Sequence, residues 1–194
     1  MQEQKIRYFK KPGRKNTDQV IKIVKERIEK NNISIIVAPT TTGVSALKLL
    51  NELDKDKLNI VVVGLHAGFR EGDQIPLPKE MQREIEKKGA KVFIGSHALS
   101  GVGRSISNKF GGSTPVEIIA HTLRMFCGQG IKVAVEISVM AADAGLIPTN
   151  QNIIALGGSH GGYDTAIVLK PVHMNNIFDL EIREILAKPV SNSK

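Results

Sequence analysis

Short runs of apolar, mostly β-branched residues recur along the chain, and turn-forming residues bound each run. They cover residues 34–38, 60–65, 91–95 and 153–157, with the sequences SIIVA, IVVVGL, KVFIG and IIALG. Continuous apolar runs of this length are typical of strands that are buried on both faces of a parallel sheet. They predict four parallel strands at the centre of the fold.

Helical patterns separate these runs. Apolar residues at spacings of three and four predict helices over residues 16–30, 43–53, 78–88 and 114–126. The last of these opens with the motif TPVE at Thr114, a capping box with proline in the first turn. Residues 132–144 fit both an alternating strand and a helical stripe, and their length and the closing Gly145 favour a helix.

The end of the chain departs from this alternation. Residues 158–164 are too few for a crossover helix, so the strand predicted over residues 165–170 returns antiparallel, as a hairpin. A last helix is predicted over about residues 176–187. The pattern indicates one α/β domain over residues 1–194, with an N-terminal extension over residues 1–15. We expect a three-layer α/β/α sandwich around a five-stranded, mostly parallel sheet whose last strand is antiparallel.

Composition narrows the class of protein. A hydrophobic content of 41% over 194 residues is enough to build the core of one domain. The charged first eleven residues lack the apolar segment of a secretory signal, and no stretch approaches the ~18 apolar residues of a membrane helix. The single cysteine, Cys127, excludes an internal disulfide and is expected to pack on an apolar helical face. We therefore expect a cytoplasmic protein without a membrane partner.

The charge of the chain points to an anionic partner. Lys and Arg number 27 against 19 acids, for a formal net charge of +8. This excess suits nucleic acid, a membrane surface or phosphate-bearing metabolites. Aromatic residues make up only 4% and there is no Trp, so the stacking platforms of a nucleic-acid binder are missing and no nucleic-acid partner is expected.

The sharpest candidate site is a turn that leaves the first buried strand and opens a helix directly. Its side chains are Thr40, Thr41, Thr42 and Ser45, around Gly43. Free amides, hydroxyls and the helix dipole favour a phosphate at such a turn. The lysine of a nucleoside triphosphate loop is absent and so is the three-glycine dinucleotide pattern, which makes a monophosphate the more natural ligand. The alternative is that the threonines only cap the helix.

A second candidate is the glycine-rich loop after the fourth strand. Gly157, Gly158, Ser159 and His160 begin it, and Asp164 ends it. Glycines let the backbone approach a ligand closely, and His160 and Asp164 would supply polar tips. The alternative is a flexible hairpin turn.

A third candidate follows the strand at residues 91–95. His97 lies in a loop at the edge of the sheet where ligands bind, and the run up to Gly112 is long enough to form a lid. With His66 and His160 it makes three histidines on separate strand-end loops. A metal site would need a ligand spacing that the sequence does not contain, so no metal is assigned.

Other polar residues are expected to be structural. His121 lies inside the capped helix and His173 lies near the chain end. Glu136 and Asp143 are interpreted as a solvated helix face rather than as an acid/base pair.

The order of elements and two motifs resemble the C-terminal domain of pyruvate kinase. The motifs are TTTGVSA from Thr40 and NIIALGGSHGGYDTAIVLKPV over residues 152–172. The resemblance covers roughly residues 16–172 and implies the sheet order 3-2-1-4-5, with the fifth strand antiparallel. The opening YFKKPGRKNT from Tyr8 resembles that of stand-alone relatives of this domain. The kinase reaction belongs to a separate barrel of typically ~250 residues, for which this chain has no room.

The resemblance also implies a ligand. The stand-alone relatives are thought to bind flavin mononucleotide (FMN), whose phosphate would lie on Thr40, Thr41, Thr42, Gly43 and Ser45. The isoalloxazine ring would then lie near residues 157–160, with the end of the second strand at His66 beside it. In the kinase, a similar turn holds the phosphates of an allosteric sugar bisphosphate.

Three functions remain open. The leading interpretation is an FMN-binding protein whose catalytic role is unproven. Val44 stands where the kinase turn often has a basic residue, and the tryptophan of the kinase effector loop has no counterpart, which disfavours a sugar bisphosphate. The alternatives are a sensor of a sugar phosphate or nucleotide, and a flavin-dependent oxidoreductase in which His160 or His97 transfers protons. A homo-oligomer is a further expectation that the sequence leaves open.

Overall fold

A twisted sheet of seven strands forms the centre of the computed structural model, which describes residues 3–30, 33–70 and 72–190. The strands are β1 Arg7–Phe9, β2 Ile35–Thr40, β3 Asn59–Leu65, β4 Lys91–Gly95, β5 Ile153–Gly157, β6 Thr165–Lys170 and β7 Glu181–Pro189. The helices are α1 Thr17–Lys30, α2 Val44–Glu52, α3 Lys79–Lys87, α4 Val102–Phe110, α5 Pro115–Thr122 and α6 Gln129–Asp143, with a π-helical segment at Leu123–Cys127.

The five strands predicted from the sequence are β2 to β6, and their order is confirmed. The sheet runs β1-β7-β6-β5-β2-β3-β4, so the five follow the order 3-2-1-4-5. β2 pairs parallel with both β3 and β5, and β6 pairs antiparallel with β5. Strand order therefore reverses between β2 and β5, and their carboxyl ends form the switch point where ligands bind in such folds.

Alternate side chains of β2 divide the core into two layers. Ile36 and Ala38 join the cluster that packs under α1, α2 and α3, whereas Ile35 and Val37 join the cluster under α6. This alternation is the two-residue period of a strand with both faces covered. The ambiguous segment at 132–144 is helical and forms most of α6, whose buried residues pack into the second cluster.

The prediction of a helix over residues 176–187 is wrong. The chain there forms a 3-10 turn at Met174–Asp179 and then β7, which pairs antiparallel with β6 and parallel with β1. The free edge of β6 offers backbone hydrogen bonds that a helix would leave unused, and this tertiary pairing overrides the local pattern. Arg27 of α1 fixes β7 by two hydrogen bonds to Glu184, at 2.8 and 2.7 Å. Part of the N-terminal extension is likewise ordered, as β1.

The capping box predicted at Thr114 is confirmed. Thr114 accepts a bond from the Glu117 amide, and the Glu117 carboxylate accepts one from the Thr114 amide at 3.0 Å. Among the described helices, none is long and apolar enough to cross a membrane.

Candidate anion-binding site

A cavity of about 600 Å³ opens at the switch point, beyond the carboxyl ends of β2 and β3. It brings together most of the residues singled out in the sequence: Thr40, Thr41, Thr42, Ser45, His97, Gly158, Ser159 and His160. Two turns that are more than a hundred residues apart therefore form one site. Gly43, Gly157 and His66 do not line it.

The residues of the threonine turn have two different roles. The hydroxyl of Thr40 accepts a hydrogen bond from the Gly43 amide at 3.0 Å, so Thr40 closes the turn. Gly43 has a φ of 90°, and a Cβ there would lie 2.9 Å from the Met81 side chain. These two residues set the backbone of the turn before α2, which itself has no side-chain cap. Thr41 and Ser45 face the cavity.

Two helices direct their amino-terminal ends to this cavity. α2 begins after Gly43 and α6 begins after Gly128, and neither has a side-chain cap. Gln129 and Lys132, in the first turns of α6, line the cavity together with the α2 turn. Uncapped amides and the positive ends of two helix dipoles favour a negative charge between them.

Cationic side chains dominate the wall. They are Arg14, Arg70, Arg104, Arg124 and Lys132, against one carboxylate, that of Glu136. No role was predicted for Arg70 or Arg124 from the sequence. Their convergence depends on the path of the chain, since they lie in the β3–α3 connection and in the π-helical segment. The cavity therefore carries a surplus of positive charge that an anionic ligand would neutralise.

Asp164 locks the N-terminal segment to the glycine loop. Its carboxylate is fully buried and accepts bonds from the Gly13 amide at 2.8 Å, the Ser159 amide at 3.1 Å and the Thr165 hydroxyl at 2.8 Å. The interpretation of Asp164 as a polar tip is therefore wrong, because the carboxylate satisfies buried donors. The arrangement fixes Arg14, the residue after Gly13, at the cavity wall.

Close packing explains the glycines of this loop. A Cβ on Gly157 would overlap the carbonyl oxygen of Gly130 in α6, and one on Gly158 would overlap that of Gly162. Gly157 is buried behind the cavity, whereas Gly158 lines it. The loop is thus a packed turn, and only its 158–162 part can meet a ligand.

His97 belongs to a cluster of three rings. The ring centroid of His97 lies 4.9 Å from that of Phe69 and 5.6 Å from that of His66, and both pairs of rings meet edge to face. Burial is the main reason that the pKa of His97 lies below its ordinary value, with Glu136 opposing the shift. His97 is therefore a neutral imidazole at neutral pH. Within the described residues, no group of three His, Cys, Asp or Glu side chains could hold a metal ion.

A buried ion pair lies in the wall and was missed in the sequence. Lys132 Nζ lies 2.6 Å from Glu136 Oε2, and both side chains are 5% exposed. The interpretation of Glu136 as part of a solvated face is wrong, because α6 is covered on nearly every side. The signal was present as a Lys-to-Glu spacing of four residues inside an otherwise apolar helix.

The run predicted as a lid is α4 with its flanking glycines. No residue of α4 is buried, and Gly101 and Gly111 at its two ends have φ values of 76° and 80°. Arg104 contributes to the cavity wall. The hydroxyl of Ser107 donates to Glu117 Oε1 at 2.9 Å and holds α4 against α5.

One comparison identifies the family. The model of the pyruvate kinase alpha/beta domain matches residues 18–169, well over half of the chain. The match includes β2 to β6 up to Leu169, both turns that form the cavity, and α6, and it leaves out Arg14 and β7. The chain belongs to the pyruvate kinase alpha/beta domain family.

Proposed function

We propose that this chain binds a phosphorylated small molecule in the switch-point cavity, with the phosphate at the start of α2. The observation that carries the proposal is that two uncapped helix N-termini and four arginine side chains share one cavity. Amides, hydroxyls and positive charge are the groups that bind phosphate in proteins. Thr41 and Ser45 would supply the hydroxyls.

Flavin mononucleotide is the ligand that the family resemblance suggests, and the residues present fit it. The cavity is within the range of about 300–1,000 Å³ that is usual for small-molecule sites. Val63, Leu65 and Phe69 add an apolar wall against which a flat ring can pack. Bound FMN would supply electron-transfer chemistry. His97, neutral and facing the cavity, would hold or accept a proton there, which is the basis of a flavin-dependent oxidoreductase as an alternative.

The surplus of positive charge supports a second candidate. Five cationic side chains line the cavity against one carboxylate, which is more positive charge than one phosphate monoester neutralises. A sensor of a more highly charged sugar phosphate or nucleotide would use this surplus. Competition of FMN binding by such compounds separates the two candidates.

The test begins with the absorption spectrum of the purified protein and a fluorescence titration with FMN. Two charge-assisted hydrogen bonds, at about 1.5–3 kcal/mol each, predict that Thr41→Ala/Ser45→Ala weakens FMN binding by about a hundredfold or more. Riboflavin, which lacks the phosphate, should bind this variant as it binds the wild type. The control Ser105→Ala/Thr149→Ala removes two hydroxyls that do not line the cavity. An FMN affinity within threefold of the wild type in the first variant would refute the phosphate assignment.

A further inference from the structure

The wall of the cavity contains a buried ion pair that the phosphate site does not need. Lys132 and Glu136 are one turn apart on α6 and both line the cavity. Removing two charges from water costs more than their attraction returns in many proteins, and apolar residues would fill the same space without that cost. Stability alone therefore does not explain the pair.

Glu136 and Lys132 differ in how many of their hydrogen-bonding groups have a partner within the protein. Glu136 accepts from Lys132 on one oxygen and from the Leu99 amide on the other, at 2.9 Å, which fixes the loop that carries His97. The ammonium group of Lys132 has three donors. Among the described residues only Glu136 accepts from it. The other N–H groups of the ammonium can donate to an acceptor in the cavity, which Lys132 lines.

The neighbours of Lys132 indicate which part of a ligand it would meet. Val133 and Ile137, on the same helix, also line the cavity and present apolar surface beside it. Arg104 and Arg124 lie near Lys132, but the carboxylate of Glu136 is bonded to it and would repel a doubly charged phosphate. The hydroxyls and amides of the α2 turn serve such a phosphate better than this wall does. The non-phosphate part of the ligand therefore fits against α6.

We propose that Lys132 is a specificity-determining residue that donates a hydrogen bond to an oxygen acceptor on the non-phosphate part of the ligand. This inference rests on the proposed function and narrows the ligand class. The site selects phosphate esters whose other end is flat and carries carbonyl oxygens. The isoalloxazine carbonyls of FMN are acceptors of this kind, whereas a simple alkyl phosphate has none.

Glu136 has a distinct part in this arrangement. Burial lowers the pKa of Lys132, the nearby Arg124 and Arg104 lower it further, and Glu136 opposes them. His97 is the other titratable group near the pair. Glu136 thus raises the pKa of the ammonium group and holds it in place in a cavity that is otherwise rich in positive charge, and it acts as a positioning residue.

The test uses three probes, FMN, riboflavin and inorganic phosphate, on the full chain. The main variant is Lys132→Met/Glu136→Gln, which leaves no unpaired buried charge and keeps an acceptor for the Leu99 amide. One charge-assisted hydrogen bond is worth about 1.5–3 kcal/mol, so FMN and riboflavin should each bind about 10–100-fold more weakly. Inorganic phosphate should bind this variant within twofold of the wild type. The variant at Thr41 and Ser45 should show the reverse pattern, with phosphate binding lost and riboflavin binding kept.

The outcomes separate the inference from the function on which it rests. An equal loss of inorganic phosphate binding would place Lys132 at the phosphate and overturn the inference alone. Unchanged FMN and riboflavin affinities would also overturn it alone. A wild-type protein that binds neither FMN nor phosphate would refute the proposed function and this inference together.

A second variant distinguishes a binding role from a structural one. Glu136→Gln leaves Lys132 buried without its counter-charge, so the pKa of Lys132 should fall further. Riboflavin binding should then decline at a lower pH than in the wild type as pH rises, and far-UV circular dichroism would confirm that the variant is folded. Riboflavin is the probe because it has no titrating phosphate. Glu136 also raises the pKa of His97, but that pKa lies below its ordinary value, so His97 titrates at lower pH than Lys132. Superimposable pH profiles would contradict the inference.

Discussion

Among the residues that do not touch the ligand, Asp164 should have the largest effect on the site. Its buried carboxylate joins the N-terminal segment at Gly13, the glycine loop at Ser159 and the start of β6 at Thr165. Asp164→Ala removes all three bonds and leaves the Gly13 amide and the Thr165 hydroxyl buried without an acceptor. A hydrogen bond to a charged group contributes about 1.5–3 kcal/mol, and water entering the new space recovers part of this.

The expected cost of Asp164→Ala is therefore about 3–5 kcal/mol of the free energy of unfolding. At about 2–4 °C per kcal/mol for a domain of this length, the midpoint of thermal unfolding should fall by roughly 6–20 °C. Asp164→Asn is the matched control. Its single oxygen can accept from both amides, and the Thr165 hydroxyl can turn to accept from its amide group, so most of the stability should be kept.

Urea unfolding followed by circular dichroism measures both variants, and an FMN titration follows the effect on the site. Release of Gly13 frees Arg14 from the cavity wall, so Asp164→Ala should also weaken FMN binding under conditions where the variant is folded. If Asp164→Ala loses less than about 1 kcal/mol, or loses no more than Asp164→Asn, then the carboxylate does not hold these segments together.

Three further changes test the fold. Gly157→Ala should prevent stable folding, because its Cβ would overlap a carbonyl oxygen of α6, and the yield of folded protein after expression reports this. Glu184→Gln should cost about 2 kcal/mol by weakening the partly buried bonds to Arg27, as measured by urea unfolding. Because Arg27 lowers the pKa of Glu184 in the folded protein, that stability is present at neutral pH and lost as pH falls through the lowered pKa. The wild type should therefore lose more stability than Glu184→Gln between about pH 5 and pH 3. Thr114→Ala should cost about 1 kcal/mol in the same assay, because it removes the cap that Glu117 completes.

Elements that are buried on both faces could be read directly from the sequence. β2 and β5 are continuous apolar runs because helices cover both sides of the sheet at these positions. β7 could not be read in this way. Its apolar residues at 182, 185 and 186 also fit a helix, and what makes it a strand is pairing with β6 and with β1, which lies more than 170 residues earlier. Local pattern carries no information on such distant partners.

The same distinction applies to the candidate site, where some features could be predicted from the sequence and others could not. The threonine turn was predictable because its chemistry is local, with hydroxyls and glycine packed into a strand-to-helix connection. The burial of Glu136 and the convergence of Arg70 and Arg124 were not, because both depend on which side of a helix or loop faces the sheet edge. Asp164 shows the opposite error. A carboxylate in a glycine-rich loop was interpreted as a polar tip, yet the amides of Ser159 in that loop and of Gly13 in the N-terminal segment donate to it inside the protein.

The segments outside the matched family region complete both the sheet and the cavity. The match ends at residue 169, within β6, and β7 then covers the edge of that strand. An uncovered edge of this length would be a template for aggregation, and β7 and β1 cover it. β1 also leads the chain into the turn at Gly13, where Asp164 fixes Arg14 beside the glycine loop. The strand pairing that protects the sheet thus also places a cation beside the proposed ligand, and that cation lies outside residues 18–169, which the family model matches.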